Sequence, residues 1–197
     1  GIRLDHLDDL FQDLSIINFN YDRCVEQFLV RAIQVAYELS DVQAQSVVRK
    51  LDIVHPYGQV GSLPWQEQVG AQAAFGAENA DLRSVAAGIK TFTEQAHDRD
   101  EIESWRQRLR VAEQLVFLGF AFHPQNMELL QLGDSQKAPP WPRAYATVFR
   151  VPAPEYELVL QRIQGARGLP PGGYSEPILS SATCADFVDQ YGAVIAG

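Results

Sequence analysis

Ser15-Ile-Ile-Asn-Phe-Asn-Tyr-Asp-Arg-Cys-Val-Glu26 is the stretch whose reading decides the fold. Ile16, Ile17 and Phe19 are strand formers, and the run stops on a polar pair, Asn20 and Asp22. From Asp22 onward Val25, Phe28, Leu29, Ala32, Ile33 and Ala36 recur at helical spacing. A short buried strand is therefore expected to turn straight into an amphipathic helix. In an open α/β sheet the carboxyl end of such a strand, beside the free N–H groups of the next helix, is where small ligands bind. Asn20 and Asp22 suit that place in two ways. They can address a ligand, or they can cap the helix, where both residue types are favoured.

The same alternation continues along the chain. Residues 2 to 14 read as a helix with Leu4, Leu7, Leu10, Phe11 and Leu14 on one face. The first strand covers about 15 to 20, and its helix runs to Leu39. Ser40, with Gln43 in capping-box position, starts a helix ending near Lys50, and a second strand follows at 52 to 57. Gly58 to Gly76 reads as a long irregular loop, of the kind that is usually functional or mobile. Asn79 opens a short helix through Ala87, Ile89 to Thr93 reads as a third strand, and Asp98 caps a charged helix to Glu113. The fourth strand is Leu115 to Gly119, and Pro124 suits the first position of a helix ending at Leu132. A fifth strand at Ala144 to Phe149 precedes a helix from Pro154 to Ala166, a Gly/Pro-rich loop from Gly165 to Pro177, and a last helix opened by Thr183 with Asp186 in capping-box position. Alternating strands and helices predict one α/β domain over residues 1–197, with a mostly parallel, doubly wound Rossmann-like sheet and helices on both faces.

Composition narrows the function classes. The chain has 197 residues, enough for a sizeable core, and a 46% hydrophobic content ordinary for a globular protein. Its longest apolar run, Leu115 to Phe122, is too short to span a bilayer, and the N-terminus does not read as a signal peptide, so no membrane association and a cytoplasmic location are expected. A net charge of −9 opposes nucleic-acid binding, and the basic cluster Arg106, Arg108 and Arg110 reads as a solvated helix face. The two cysteines, Cys24 and Cys184, form no CxxC pair, so a four-ligand zinc ribbon is excluded and no metal site is expected. Cys24, in the first turn of a helix, either has a depressed thiol pKa or packs beneath that helix.

Three elements carry a family resemblance. Asn20-Tyr21-Asp22 after a hydrophobic strand, followed by a helix carrying a Glu, resembles the Asn-x-Asp element of sirtuin-like domains. It is most similar to the branch that hydrolyses NAD in bacterial defence. Asp52-Ile-Val-His-Pro-Tyr-Gly58 resembles the segment where such domains place their catalytic His, here His55. Gln114-Leu-Val-Phe-Leu-Gly-Phe-Ala-Phe-His123 resembles their later strand and Gly turn near the nucleotide.

The resemblance implies that NAD is substrate or ligand and that its nicotinamide–ribose bond is hydrolysed. It implies Asn20 for ribose and water positioning, His55 as general base, and Asp22 for orienting the loop or stabilising positive charge. Gly119, Phe120 and Asn126 are the implied nucleotide contacts, sharing one rim of the sheet with the first three. A partner effector domain or self-association belongs to the same expectation. The absent four-Cys zinc module argues against protein deacylation. The family's Gly-Ala-Gly turn is not found, so the chain is expected to be a fragment lacking the first β-α unit, with little NAD turnover of its own beside its intact parent. Phe120 and Ala121 stand where relatives carry Ser or Thr, and Pro56-Tyr57-Gly58 follows His55 in place of a direct Gly. Read from spacing alone, His55 is also compatible with a strand-end His bonded to a carbonyl, and His123 with capping the helix at Pro124, the favoured role, or with reaching the ligand. The other functional reading is a non-catalytic nucleotide-binding or protein-interaction module with the same fold.

Overall fold

Strand β1, Ser15–Ile17, pairs in parallel with β2, Asp52–Val54, so that Ser15 faces Asp52 and Ile17 faces Val54. The computed structural model describes residues 4–67, 70–77, 81–90, 99–132, 141–167 and 176–196. Contacts divide the chain into two compact units, residues 1–96 and 97–197. Among the described residues each unit holds one small parallel sheet with helices around it, a mixed α/β architecture.

In the first unit, helices α1 (Cys24–Tyr37) and α2 (Asp41–Val48) pack Val30, Ile33, Ala44, Val47 and Val48 into a core that also receives Leu7. The expected capping box at Ser40 is present, with Gln43 returning its side chain to the Ser40 backbone. Both strands are shorter than the sequence suggests, for local reasons. Asn18 donates its N–H to the Val54 carbonyl at 2.9 Å as the last rung, then its own Oδ1 takes the Asn20 N–H at 3.0 Å and curls the chain out of the sheet. Pro56 has no N–H to continue β2, and His55 to Gly58 closes as a turn through a 2.9 Å Gly58 N–H to His55 carbonyl bond.

The helix expected over residues 2–14 is instead a 3-10 helix at Leu4–Asp9 followed by turns, with i to i+3 bonds such as Leu14 N–H to the Phe11 carbonyl. Asp8, Asp9 and Asp13 are poor interior helix residues, and of Leu7, Leu10, Phe11 and Leu14 only Leu7 and Phe11 turn away from solvent. The helix before Ala87 is α3, Leu82–Ala86, capped by the Asp81 carboxylate; Asn79, expected to open it, lies outside the described residues, as do Asp98 and residues 91–93 of the expected third strand. Ile89 makes one antiparallel bridge with Gly58. The Gly58–Gly76 loop is anchored: the Ser62 N–H donates to the Ala71 carbonyl, the Ala73 N–H donates to the Ser62 carbonyl, and Leu63 is fully buried.

In the second unit, β3 (Gln114–Phe117), β4 (Arg143–Thr147) and β5 (Ile178–Ser180) form a parallel sheet in the order β3-β4-β5. Around it lie α4 (Arg99–Val111), α5 (Pro124–Leu130), α6 (Tyr156–Ala166) and α7 (Cys184–Ile195). Pro124 opens α5, and Thr183 caps α7 through the Asp186 N–H, both as the sequence indicates. Strand β5 is not among the expected strands, because Pro177 and a three-residue length hide it. The basic face of α4 is used internally: Arg110 pairs with Glu103, and Arg106 donates to the Glu128 and Leu129 carbonyls.

Gly58 has φ +73°, and a Cβ there would lie 2.0 Å from the Gly88 carbonyl oxygen. Gly58→Ala is expected to destabilise the first unit by about 2 kcal/mol or more, since both strain and collision oppose it. Urea unfolding monitored by far-UV circular dichroism measures this; a loss below about 0.5 kcal/mol would refute the turn geometry.

Candidate functional site

Parallel pairing delivers the chain from β1 and from β2 to the same carboxyl edge, where Asn20, Asp22 and His55 follow. Asp22 accepts the Cys24 N–H at 2.9 Å and so caps the start of α1, the structural half of its expected alternatives. The Asn20 side chain is exposed and makes no hydrogen bond among the described residues. What reaches His55 from Asn20 is the backbone carbonyl.

The imidazole of His55 is held at both nitrogens. Nδ1 lies 2.9 Å from the Asn20 carbonyl oxygen and Nε2 lies 3.2 Å from Glu26 Oε1. A carbonyl oxygen only accepts, so Nδ1 carries a hydrogen; a further proton lies between Nε2 and the Glu26 carboxylate. The His55 side chain is 6% exposed and that of Glu26 1%. Burial opposes the charged ring, but the bond to Glu26, the Asn20 carbonyl and the charges of Glu26 and Asp22 together raise the His55 pKa above its ordinary value of 6.5. The Cys24 N–H holds the Asp22 carboxyl below its ordinary 3.8, with help from the charge of His55. Burial pulls the Arg23 guanidinium down, against the charge of Glu26, and Arg23 donates to the Ala73 carbonyl at 2.5 Å. That bond ties the loop after β2 to the start of α1, so the described part of the loop is fastened.

Glu26 enters only as an unassigned helical Glu in the sequence. The signal was its phase. The buried stripe of α1 runs through Glu26, Val30 and Ile33, whereas Phe28, expected to face the core, is 69% exposed. Glu26 stands four residues before Val30 and seven before Ile33, the spacing of a core position. Asn18 and Arg23, both buried, were likewise unassigned. Cys24 is exposed, and its thiol is pushed up by the hydrogen bond with Asp22, contrary to both a depressed pKa and packing beneath the helix.

Gly119, Phe120 and Asn126 belong to the second unit. Gly119 adopts φ +58°, and its N–H donates to Thr147 Oγ1 at 2.9 Å. A Cβ at Gly119 would meet only Cys184 Sγ, at an ordinary 3.6 Å, so the turn conformation is what requires glycine there. Phe120 packs edge-on to Phe122 at 5.1 Å, and Asn126 sits half-buried in the first turn of α5. His123 precedes Pro124 but its side chain does not cap α5; its carbonyl accepts the Met127 N–H.

A cavity of about 520 Å³ in the first unit is lined by Gln27, Val30, Arg49, Trp65 and Phe75 among others, and by none of Asn20, Asp22 and His55. Among the described residues no three His, Cys, Asp or Glu side chains gather to hold a metal ion, and no helix is long and apolar enough to cross a membrane. The chain matches no family model, no curated protein and no solved structure.

The two pKa shifts act in opposite directions on stability. His55, raised in the fold, contributes fully below about pH 6.5 and its contribution is lost as pH rises through the folded value. Asp22, lowered in the fold, contributes above about pH 3.8 and its contribution is lost as pH falls through the folded value. The melting temperature of the first unit's transition should therefore be highest between these limits. His55→Gln should flatten the alkaline decline; an alkaline limb identical in wild type and His55→Gln would show that another group is responsible.

Proposed function

We propose that Asn20, Asp22 and His55 form a sirtuin-like site that hydrolyses the nicotinamide–ribose bond of NAD. The observation that carries this reading is the convergence of two strand ends, which puts the His55 ring 2.9 Å from Asn20 at the carboxyl edge of a parallel pair. The ring contact is to the Asn20 backbone carbonyl, and the residues at this edge carry an exposed amide, a carboxylate and an imidazole, the groups such a reaction uses.

The C1′–N bond of NAD breaks with its electrons leaving on nicotinamide, and positive charge spreads over the ribose ring. Water then bonds to C1′, giving ADP-ribose, and its surplus proton passes to His55 and on to solvent. Asn20 holds the ribose hydroxyls or the water, and Asp22 stabilises positive charge. For His55 to receive a proton, Nδ1 must first lose the hydrogen it donates to the Asn20 carbonyl. Taken by itself, the second unit has its own proposed nucleotide contacts, Gly119 and Phe120 on the turn after β3 and Asn126 in the first turn of α5. A cytoplasmic location and an effector partner, or self-association, are part of the same proposal.

A second reading has its own support. A ring 6% exposed and bonded at both nitrogens suits an architectural His in a non-catalytic nucleotide-binding or protein-interaction module.

Nicotinamide release from NAD by the full-length protein, followed by chromatography, separates the two. Asn20→Ala and His55→Ala should each lower the rate by about 10²-fold. Cys24→Ser should leave it within twofold. Turnover by both variants at the wild-type rate would refute the catalytic assignment; NAD binding without turnover in the wild type would establish the non-catalytic module.

A further inference from the structure

We propose that Glu26 is the positioning residue of His55: it fixes Nε2 from the buried end of the ring and leaves Nδ1, at the exposed end, as the nitrogen that exchanges protons. The inference deepens the hydrolase reading and rests on it for its kinetic readout alone; the arrangement of the ring's protons can be measured without any reaction.

The geometry is directional. Glu26 is 1% exposed, its Oε1 lies 3.2 Å from Nε2, and its Oε2 has no hydrogen-bond partner among the described residues. An ionised carboxylate only accepts, so Nε2 must carry the hydrogen of its bond to Glu26. Nε2–H is thus the bond that persists. At the other end Nδ1 meets the Asn20 carbonyl, on the exposed turn through Asn20, Tyr21 and Asp22. That contact holds only while Nδ1 carries hydrogen. When Nδ1 gives up its proton, its lone pair points at a carbonyl oxygen, which repels it. The turn carrying Asn20 is then released from the ring, and Nδ1 is free to accept a proton from water or a hydroxyl.

Two charged groups act on the ring directly and a third acts through one of them. Asp22 acts from the turn, Glu26 from the first turn of α1, and Arg23 from the start of the same helix through its interaction with Glu26. From β2, the residues that follow His55 are Pro56 and Tyr57, which are uncharged. The balance favours the protonated ring and depends chiefly on Glu26. A carboxylate behind an imidazole, holding one tautomer so that the opposite nitrogen works as the base, is a general arrangement in acid–base catalysis.

Long-range ¹H–¹⁵N NMR of the full-length protein, with the His55 resonances identified by their loss in His55→Gln, tests the assignment. Wild-type His55 is expected to titrate above about 6.5 and, once neutral, to carry its hydrogen on Nε2. Glu26→Gln should lower that titration by about one pH unit or more, while Glu26→Asp, which keeps the charge, should retain most of it. In nicotinamide release, Glu26→Gln should move the acid limb to lower pH by the same shift and cut kcat about tenfold with KM within twofold. A neutral His55 protonated on Nδ1, or a titration that Glu26→Gln leaves in place, would overturn the proposal. Should Glu26→Gln not fold, the wild-type titration and tautomer decide it. If the titration behaves as expected while the wild type releases no nicotinamide, the hydrolase reading falls and the Glu26–His55 assignment stands.

Discussion

A carboxylate that is 1% exposed on the core stripe of a helix is the constraint around which the first unit is built. Glu26 lies in line with Val30 and Ile33, where an unpaired charge would cost several kcal/mol. The partner that relieves it comes from a different element, His55 at the end of β2. This requires β2 to lie beside β1 in one particular register. A slip of one residue would send His55 to the other face of the strand pair and leave Glu26 alone. Neighbouring features keep the imidazole where it is needed. Pro56 ends the ladder, the Gly58 N–H closes the turn on the His55 carbonyl, and Arg23 ties the following loop to the foot of α1. A buried ion pair of this kind is weak support for stability and better understood as fixing which strands meet.

The second unit solves a similar strand-to-helix turn with different chemistry. After β3 the chain reverses through Gly119, whose peptide N–H donates to Thr147 Oγ1 on the neighbouring strand. Thr147 in turn approaches the Phe117 carbonyl at 3.4 Å, so one hydroxyl joins β4 to both ends of the turn. Phe117, Phe120 and Phe122 pack against one another, with ring centroids 5.1 to 5.7 Å apart. Where Ser or Thr side chains would offer hydroxyls, this turn offers aromatic surface.

What the sequence made legible was whatever is decided within a few residues. Ser40 with Gln43, Thr183 with Asp186 and Pro124 before Gln125 are local chemistry, and the structure carries all three. The parallel sense of the strands followed from their alternation with helices. Strand ends were read too long because the terminating interactions are specific: the Asn18 side chain on the Asn20 N–H, and the missing donor of Pro56. In α1 the apolar repeat is only part of the buried face: Ile33 is buried and Leu29 packs against the core. There the buried face includes a charge, and Phe28 stands in solvent. The residue that matters most to the candidate site was hidden for that reason. Nothing local identifies Glu26; its meaning depends on His55, which is distant in sequence.

Both functional readings have to accommodate the same gradient of exposure, from Glu26 through the His55 ring to the turn at Asn20. An ionised Glu26 only accepts, so in the proposed arrangement protons do not leave through its end of the ring. They can leave only at Nδ1, past a backbone carbonyl in an exposed segment. The state of the ring and the position of the Asn20 turn are therefore one variable. In a catalytic site this sets the order of events: the turn must yield before the imidazole can work as a base, and whatever draws the Asn20 side chain toward itself helps it to yield. In a binding module the same coupling makes the turn's conformation follow the charge on a buried histidine. The step common to both is the release of one hydrogen bond, and the exposed amide of Asn20 sits on the residue that makes it.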